Sequence, residues 1–464
     1  MRTEALVLAL SLALGGCATG RIQGDLAAVR RMTNVELPRE LTRAEVRDET
    51  SEAVRAMLRR PLSTSDAVRV ALANNRALRA TLRELGIPRG RLVQAGLVPN
   101  PSVMVDLRRS TDPSQPLQID FEVEYDLTGA LLAPARAGVA GAELEAARVR
   151  AAGEVIELGY RVRAAVYRAQ AARRRLALAR QALDTFAAAR DASQALLNAG
   201  SRARIDLASR EAAYQRERIT VSQAELESLA ADEALRRLLG VSGADTEFTL
   251  AEGLPALPES LHEAANLEGA VIEASLDLRE TRARLEALSR RTGLVRARGL
   301  LPEISVDAHA EQDNAFWELG GGVRVSLPIF DRQQGNLRAV EAEFDGLRER
   351  YVGAAIDLRS AAREALGRLR LAHARARQWR DVIVPARDRV MEETQLQYNA
   401  MQLGVFQLLT ARREQLDAQL EAVDAQRDYW TAAAAMDALL AGRRVDAAPL
   451  TASSNQPSTD NAAH

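Results

Sequence analysis

The 464-residue chain contains no lysine, and all 62 of its basic side chains are arginine. That absence excludes a lysine-ended phosphate loop, a Schiff-base lysine and a lysine general base. A single cysteine, Cys17, leaves no intrachain disulfide and no cysteine zinc cluster, and the four histidines (His262, His309, His373, His464) form no i, i+4 pair. Aromatic residues are 4% of a chain that is 47% hydrophobic, so alanine and leucine carry the packing, as in long helices joined through small side chains. An excess of one charge is missing too. The net charge is −1, and arginines interleave with acids even around Arg173–Arg175, so there is no segregated basic face for nucleic acid. Gly320–Gly322 lacks the helix start and third spaced glycine of a phosphate loop and reads as flexible strand. Enzyme chemistry has almost nothing to work with, and no cofactor or metal site is expected.

What is abundant is helix-forming sequence. From Pro134 to Pro255 there is no proline, and Ala, Leu, Glu, Arg and Gln dominate. The run breaks once, at Asn198-Ala199-Gly200, where Asn and Gly suit a helix C-terminus and tight reversal. Two long antiparallel helices are predicted, over about 135–197 and 202–239. The first would be ~90 Å long, in contrast to the ~11 residues of an average helix. Such a pair forms a rod or a tunnel wall. Ahead of it, Leu117–Leu127 alternates strictly: Leu117, Ile119, Phe121, Val123, Tyr125 and Leu127 on one face, Gln118, Asp120, Glu122, Glu124 and Asp126 on the other. At ~3.3 Å per residue this strand reaches ~36 Å, enough to cross a ~30 Å hydrocarbon core at a tilt. A soluble sheet would bury the apolar face; an outer-membrane barrel would turn it to lipid and the acidic face to a water-filled lumen. Val103, Val105 and Leu107 supply a preceding strand, joined through the loop Ser110–Pro116 as a hairpin.

The arrangement occurs twice. A helix opens at Pro61-Leu62-Ser63 with Ser63 or Thr64 as N-cap, and Pro88 marks a kink or break. After a Gly/Pro-rich linker over 240–260, Gly299-Leu300-Leu301-Pro302-Glu303-Ile304-Ser305-Val306 matches Gly96–Val103 at an offset of 203. Two more amphipathic strands follow, with Ile304, Val306, Ala308 and Ala310, then Leu319, Gly321, Val323, Val325 and Leu327, on their apolar sides. A long helix over about 336–398, kinked at Pro385, reaches a second reversal at Asn399-Ala400-Met401, offset by 201, and a last helix runs to about Leu440. The divisions are a leader over 1–16, an extended arm over 17–60, a first repeat over 61–250, a second over 251–442 and a tail over 443–464. Four strands cannot close a membrane barrel, and open edges are not tolerated in hydrocarbon. The barrel must be shared: two copies supply eight strands, three supply twelve. The fold class is therefore mainly α with a membrane β-barrel portion, built from a duplicated unit of helix, β-hairpin, long helix and helix.

Residues 1–16 have the form of a secretory signal, with Arg2 ahead of the apolar run Ala5–Leu14. Leu14-Gly15-Gly16-Cys17 resembles a bacterial lipobox, in which the cysteine is acylated, and Ala18 after it leans towards outer-membrane sorting. With the duplicated layout, Gln94-Ala95-Gly96 leading into Pro99-Asn100-Pro101, and Ser326-Leu327-Pro328-Ile329-Phe330-Asp331, the chain resembles the TolC-like outer-membrane efflux factors over about 61–442. It is most similar to the lipoprotein branch serving resistance-nodulation-division pumps.

The resemblance implies a homotrimer with a twelve-strand barrel in outer-membrane lipid, continued by a periplasmic α-barrel. It also implies a periplasmic adaptor and an inner-membrane pump as partners. The implied function is a tripartite efflux channel for toxic compounds or metal ions, and Pro99-Asn100-Pro101 leans towards the heavy-metal branch. Asn198 ends the helix at the first tip, and the family's tip pattern is kept after it by Gly200, Ser201, Ile205 and Asp206. The second, with Asn399, Met401 and Gln402, replaces the glycine, and Gln407 and Thr410 stand where some members carry aspartates. Asp206 is then the candidate for gate polarity. The alternatives are a periplasmic adaptor lipoprotein, against which the duplication argues, and a coiled-coil scaffold of the envelope, which has no use for membrane-length strands.

Overall fold

The computed structural model describes residues 22–33, 51–109, 111, 117–200, 204–251, 253–261, 266–313 and 316–446. Cys17, Ser201 and the tail 447–464 lie outside them, as does most of the loop Ser110–Pro116. The helices are α1 (Ile22–Thr33), α2 (Glu52–Leu58), α3 (Thr64–Asn74), α4 (Arg76–Glu84), α5 (Gly86–Gly96), α6 (Leu127–Leu131), α7 (Ala133–Asn198) and α8 (Arg204–Leu239), then α9 (Leu267–Ala274), α10 (Leu276–Leu300), α11 (Gln334–Gln378), α12 (Val384–Asn399) and α13 (Val405–Leu440). The strands are β1 (Ser102–Arg108), β2 (Gln118–Asp126), β3 (Glu303–Asp313) and β4 (Phe316–Ser326). The chain divides into two compact units, one of residues 1–34, 80–152 and 276–357, the other of residues 35–79, 153–275 and 358–464.

The first unit holds the sheet. Its order is β1-β2-β3-β4, every neighbour antiparallel, so the two hairpins of the two repeats are joined through β2 and β3. Thr128 fastens that junction: its Oγ1 donates to the Pro302 carbonyl at 2.9 Å and accepts from the Ile304 amide at 2.8 Å. Asp126, expected on the acidic strand face, ends β2 as the N-cap of α6, its carboxylate accepting from the Gly129 amide at 2.7 Å. An N-cap acid saturates an otherwise orphaned donor, and a strand end leaves the side chain free to do so.

Two differences from the sequence reading lie nearby. The stretch expected as an extended arm includes helices α1 and α2. α1 docks through Leu26 and Val29, both buried, and through Asp25, a fully buried carboxylate that accepts from Arg148 Nε at 2.8 Å and Arg89 Nε at 3.0 Å. A buried carboxylate is tolerated only with such charge-matched donors. The helix break expected at Pro88 falls instead at Leu85, and Pro88 sits in the first turn of α5, where a missing N–H leaves nothing unpaired.

The second unit is built around the long helices. Ser63 caps α3 by accepting from the Asp66 amide at 3.1 Å, and Asn74 and Asn75 saturate the carbonyl end of α8 through Leu239, Gly240 and Leu238. α13 packs on α7 through Leu178, Ala182 and Leu416, with Leu420 and Val423 at the margin. It is tied by charge to both long helices: Arg175 of α7 pairs with Asp424, and Arg375 of α11 with Glu421 at 3.2 Å. Burial pushes the Asp424 carboxyl up from its ordinary value, and Arg427 and Arg175 oppose that shift. α8 and α13 have the same length of 36 residues. α7 ends at Asn198 and α12 at Asn399, at the predicted offset. The kink expected at Pro385 takes the form of a π turn, Trp379–Ile383, immediately before it.

Candidate conduit surfaces and helix tips

Directly opposed residues of an antiparallel pair point to the same side, so the register defines two continuous faces across all four strands. Val103↔Val123↔Ala308↔Gly321 and Val105↔Phe121↔Ala310↔Leu319 belong to one face. It is solvent-accessible and apolar, with Val103 66%, Leu319 83% and Val323 67% exposed. A contiguous apolar surface of this kind marks contact with lipid or another protein. Asp106↔Asp120↔Glu311↔Glu318 and Glu122↔His309 belong to the other face. Its acids outnumber the two arginines set among them: Arg108 reaches Asp106 at 3.2 Å and Asp120 at 3.4 Å, and Arg324 reaches across β3 to Glu124 at 2.6 Å.

Gly320 and Gly322, expected as flexible strand, have a more specific use on this face. A Cβ at Gly320 would lie 2.3 Å from His309 Nε2, and one at Gly322 would lie 2.7 Å from an Asp307 oxygen. The glycines leave room for the side chains directly opposite, whose own contact is 3.7 Å. Among the described residues β1 and β4 each pair on one side only, and no group of three or more His, Cys, Asp or Glu side chains could hold a metal ion. No described helix is long and apolar enough to cross a membrane.

The reversals are built alike. Gln194 Nε2 donates to Asn198 Oδ1 at 2.9 Å, and Gln395 Nε2 to Asn399 Oδ1 at 3.1 Å, the same i, i+4 pair at the same offset. Gly200 turns the chain at φ +73°, with its amide on the Leu197 carbonyl at 2.9 Å. Met401 does the same at φ +57°, its amide on Tyr398 at 2.9 Å, although it carries a side chain that is 94% exposed. A left-handed non-glycine residue costs about 1 kcal/mol or more. Ile205 is exposed and Asp206 half-buried at the start of α8. At the start of α13, Gln407 lies back over Gly404 and Thr410 Oγ1 donates to its own helix at the Phe406 carbonyl, 2.9 Å away. The two tips are neighbours: the Arg210 guanidinium lies over the Phe406 ring, 4.7 Å from its centroid. Neither of these contact residues was singled out by sequence reasoning. The repeated Gln-x-x-x-Asn spacing could have pointed to the tip geometry, but nothing local pairs Arg210 with Phe406.

The duplication exposes a second surface. Val155, Gln170 and Ala189 of α7 are buried, whereas their counterparts 201 residues on, Ile356, Leu371 and Val390, are exposed apolar side chains. Leu420 of α13 is partly covered on α7, while its counterpart Ile219 on α8 is 60% exposed. These positions, covered on α7, are thus bare on α11 and α12, and Ile219 of α8 is the bare counterpart of the covered Leu420 of α13.

Residues 269–442 match the family described as outer membrane efflux protein. The chain is similar to the cobalt-zinc-cadmium resistance protein CzcC of Cupriavidus metallidurans, 26% identical over 386 residues that cover 82% of this chain and 90% of that one. Its fold is that of a membrane protein from Pseudomonas aeruginosa (TM-score 0.69, 22% identity, 88% and 98% of the two chains). It is also that of CusC, whose crystal structures concern folding and transmembrane channel formation (TM-score 0.67, 16% identity, 82% and 92%).

Proposed function

We infer that this chain, a member of the outer membrane efflux protein family, is the outer-membrane channel of a tripartite efflux system, extending from the outer membrane into the periplasm. The observation that carries this reading is the pairing of bare surfaces left by the duplication. An α8 whose Ile219 is uncovered, and α11–α12 positions that lack the cover of their α7 counterparts, satisfy each other only between copies, head to tail. A head-to-tail contact closes into a ring when its rotation allows. Three copies close the sheets as a twelve-strand barrel, with the apolar face on lipid and the acidic face on the lumen. The long helices of the same ring form the periplasmic α-barrel, divided as residues 61–250 and 251–442 of each copy.

The lumen face favours cations as cargo. Asp106, Asp120, Glu122, Glu124, Asp307, Glu311 and Glu318 far outweigh Arg108 and Arg324, and a charged channel concentrates ions of opposite sign. That agrees with the similarity to a cobalt-zinc-cadmium resistance protein, so divalent metal ions are the proposed cargo and organic compounds the second reading. The tips, with Asn198, Gly200, Ser201, Ile205 and Asp206 beside Asn399, Met401, Gln402, Gln407 and Thr410, are the proposed contact with an adaptor and the inner-membrane pump it serves. Cys17 is the proposed acylation site. A strain lacking the gene, tested against divalent metals and a panel of drugs with and without a plasmid copy, checks the reading. Metal sensitivity cured by the plasmid supports it; sensitivity to drugs alone moves the cargo to the second reading; no change in either rejects efflux.

A further inference from the structure

The inter-repeat linker does more than connect. In its segment 255–259, four carbonyls are taken by side chains of the second repeat's helices. Pro255 O accepts from Trp430 Nε1 at 2.8 Å and from Gln426 Nε2 at 2.7 Å. Leu257 O accepts from Arg380 at 3.3 Å, Pro258 O from His373 Nε2 at 2.8 Å, and Glu259 O from Arg377 at 3.3 Å. Between these anchors Leu257 is buried among Ala372, Ala376, Ala425 and Tyr429, with Trp379 and Trp430 packed against the cluster.

The strap lies on the weakest point of the long helix. Trp379–Ile383 is a π turn, in which the Val384 amide reaches back five residues to Trp379. Pro385 follows, with no N–H of its own and a ring that would strike the carbonyl of Asp381 in a regular helix. The wide turn relieves that clash at the expense of one hydrogen bond of the ladder, and a one-residue slip in phase turns everything beyond it by about 100°. Asp381, within the turn, pairs with Arg377 at 3.2 Å and with Arg380, and these two arginines hold its carboxyl down at about 2.

The first repeat supplies a built-in comparison. Pro385 corresponds to Asp184, inside the unbroken helix α7. The five donors His373, Arg377, Arg380, Gln426 and Trp430 correspond to Ala172, Leu176, Ala179, Glu225 and Leu229, none of which carries a side-chain N–H. Among the described residues the turn and these five donors therefore occur together in the second repeat and not in the first.

We propose that the inter-repeat linker is a latch on a hinge at 379–385, fixing the direction in which α12 carries the second tip. The hinge is held by the strap rather than by its own backbone ladder. Release of the Pro255 carbonyl loosens the Leu257 cluster on which Trp379 packs, and with it the turn. α12 then shifts against α13, to which Arg387–Glu414 and Gln415–Asp388 tie it, while α7 does not. The device does not depend on the channel assignment, since it rests on contacts within one unit of one chain.

Hydrogen exchange on the assembled full-length protein tests it, with the double variant Trp430→Phe, Gln426→Met removing both donors to Pro255 while keeping the bulk. Amides of 379–399 should exchange at least tenfold faster than in the unaltered protein, with 178–198 unchanged. Adding Pro385→Ala to the double variant should restore protection, because the helix then supports itself. Unchanged exchange in 379–399, or equal loosening of 178–198, overturns the latch. Failure of Pro385→Ala to restore protection overturns the hinge.

Discussion

Val123 and Glu122 are neighbours in β2 with opposite fates. Val123 is opposed by Val103 and Ala308 on the apolar face; Glu122 is opposed by Met104 and His309 on the acidic one. Both lie near the middle of the strand, so depth in a bilayer would be nearly the same for each. Arginine on the lipid side near mid-bilayer costs roughly 2–4 kcal/mol per chain, and three copies raise that to roughly 6–12 kcal/mol per assembled ring. At about 1.4 kcal/mol per decade, even the lower figure is some four decades in the assembly equilibrium. Glu122→Arg instead places a cation among acids in water and should cost little. The assay is the amount of heat-sensitive, detergent-resistant oligomer in outer-membrane fractions of cells expressing each variant equally. Val123→Arg should be depleted to near the detection limit and Glu122→Arg should match the unaltered protein. Equal levels for the two would refute the assignment of faces.

Cys17→Ser should abolish acylation yet leave a protein that still fractionates with the outer membrane, because four amphipathic strands per chain supply their own affinity; recovery only as a soluble periplasmic protein would contradict the barrel. Bulky or charged replacements at Ser201 or Gln402, which spare Asn198, Gly200 and Asn399, should assemble normally and lose efflux; full resistance with intact assembly would remove the tips from the contact with the adaptor. The Glu217 carboxyl is raised by burial, lowered by Arg413 and raised again by Asp417. An acid whose folded pKa lies above its unfolded value stabilises at low pH and loses that contribution as pH rises through the folded value. Glu217→Gln should therefore melt above the unaltered protein at pH 8, with the gap closing near about pH 4; a gap independent of pH would show that burial does not act on this carboxyl.

Much of the architecture was legible because the duplicated signals are long and local. The proline-free stretch, the reversals at Asn198 and Asn399 and the period-two strands each follow from many residues agreeing on one geometry. Short features were less visible. α1 depends on a buried Asp25 that finds Arg89 and Arg148 far along the chain, and no local pattern announces that meeting. Pro385 announced a disturbance but not its form, which the Trp379 cluster and the linker carbonyls decide. Asp126 alternated correctly with its neighbours and was still taken as an N-cap, since the strand ended there. At the tips, composition indicated a turn, while the stacking of Arg210 on Phe406 required the fold.

The central claim is that bare helix faces close a ring of copies, and cross-linking tests it most directly. Leu420 and Ala182, which belong to one packed cluster within the chain, correspond to Ile219 on α8 and Ile383 at the end of the π turn. The double variant Ile219→Cys, Ile383→Cys, treated with a short bis-maleimide reagent in intact outer membranes, should give a ladder that ends at three copies. Each single variant should remain a monomer on a denaturing gel. Links confined within one chain, or a ladder that continues past three, would contradict a closed three-copy conduit.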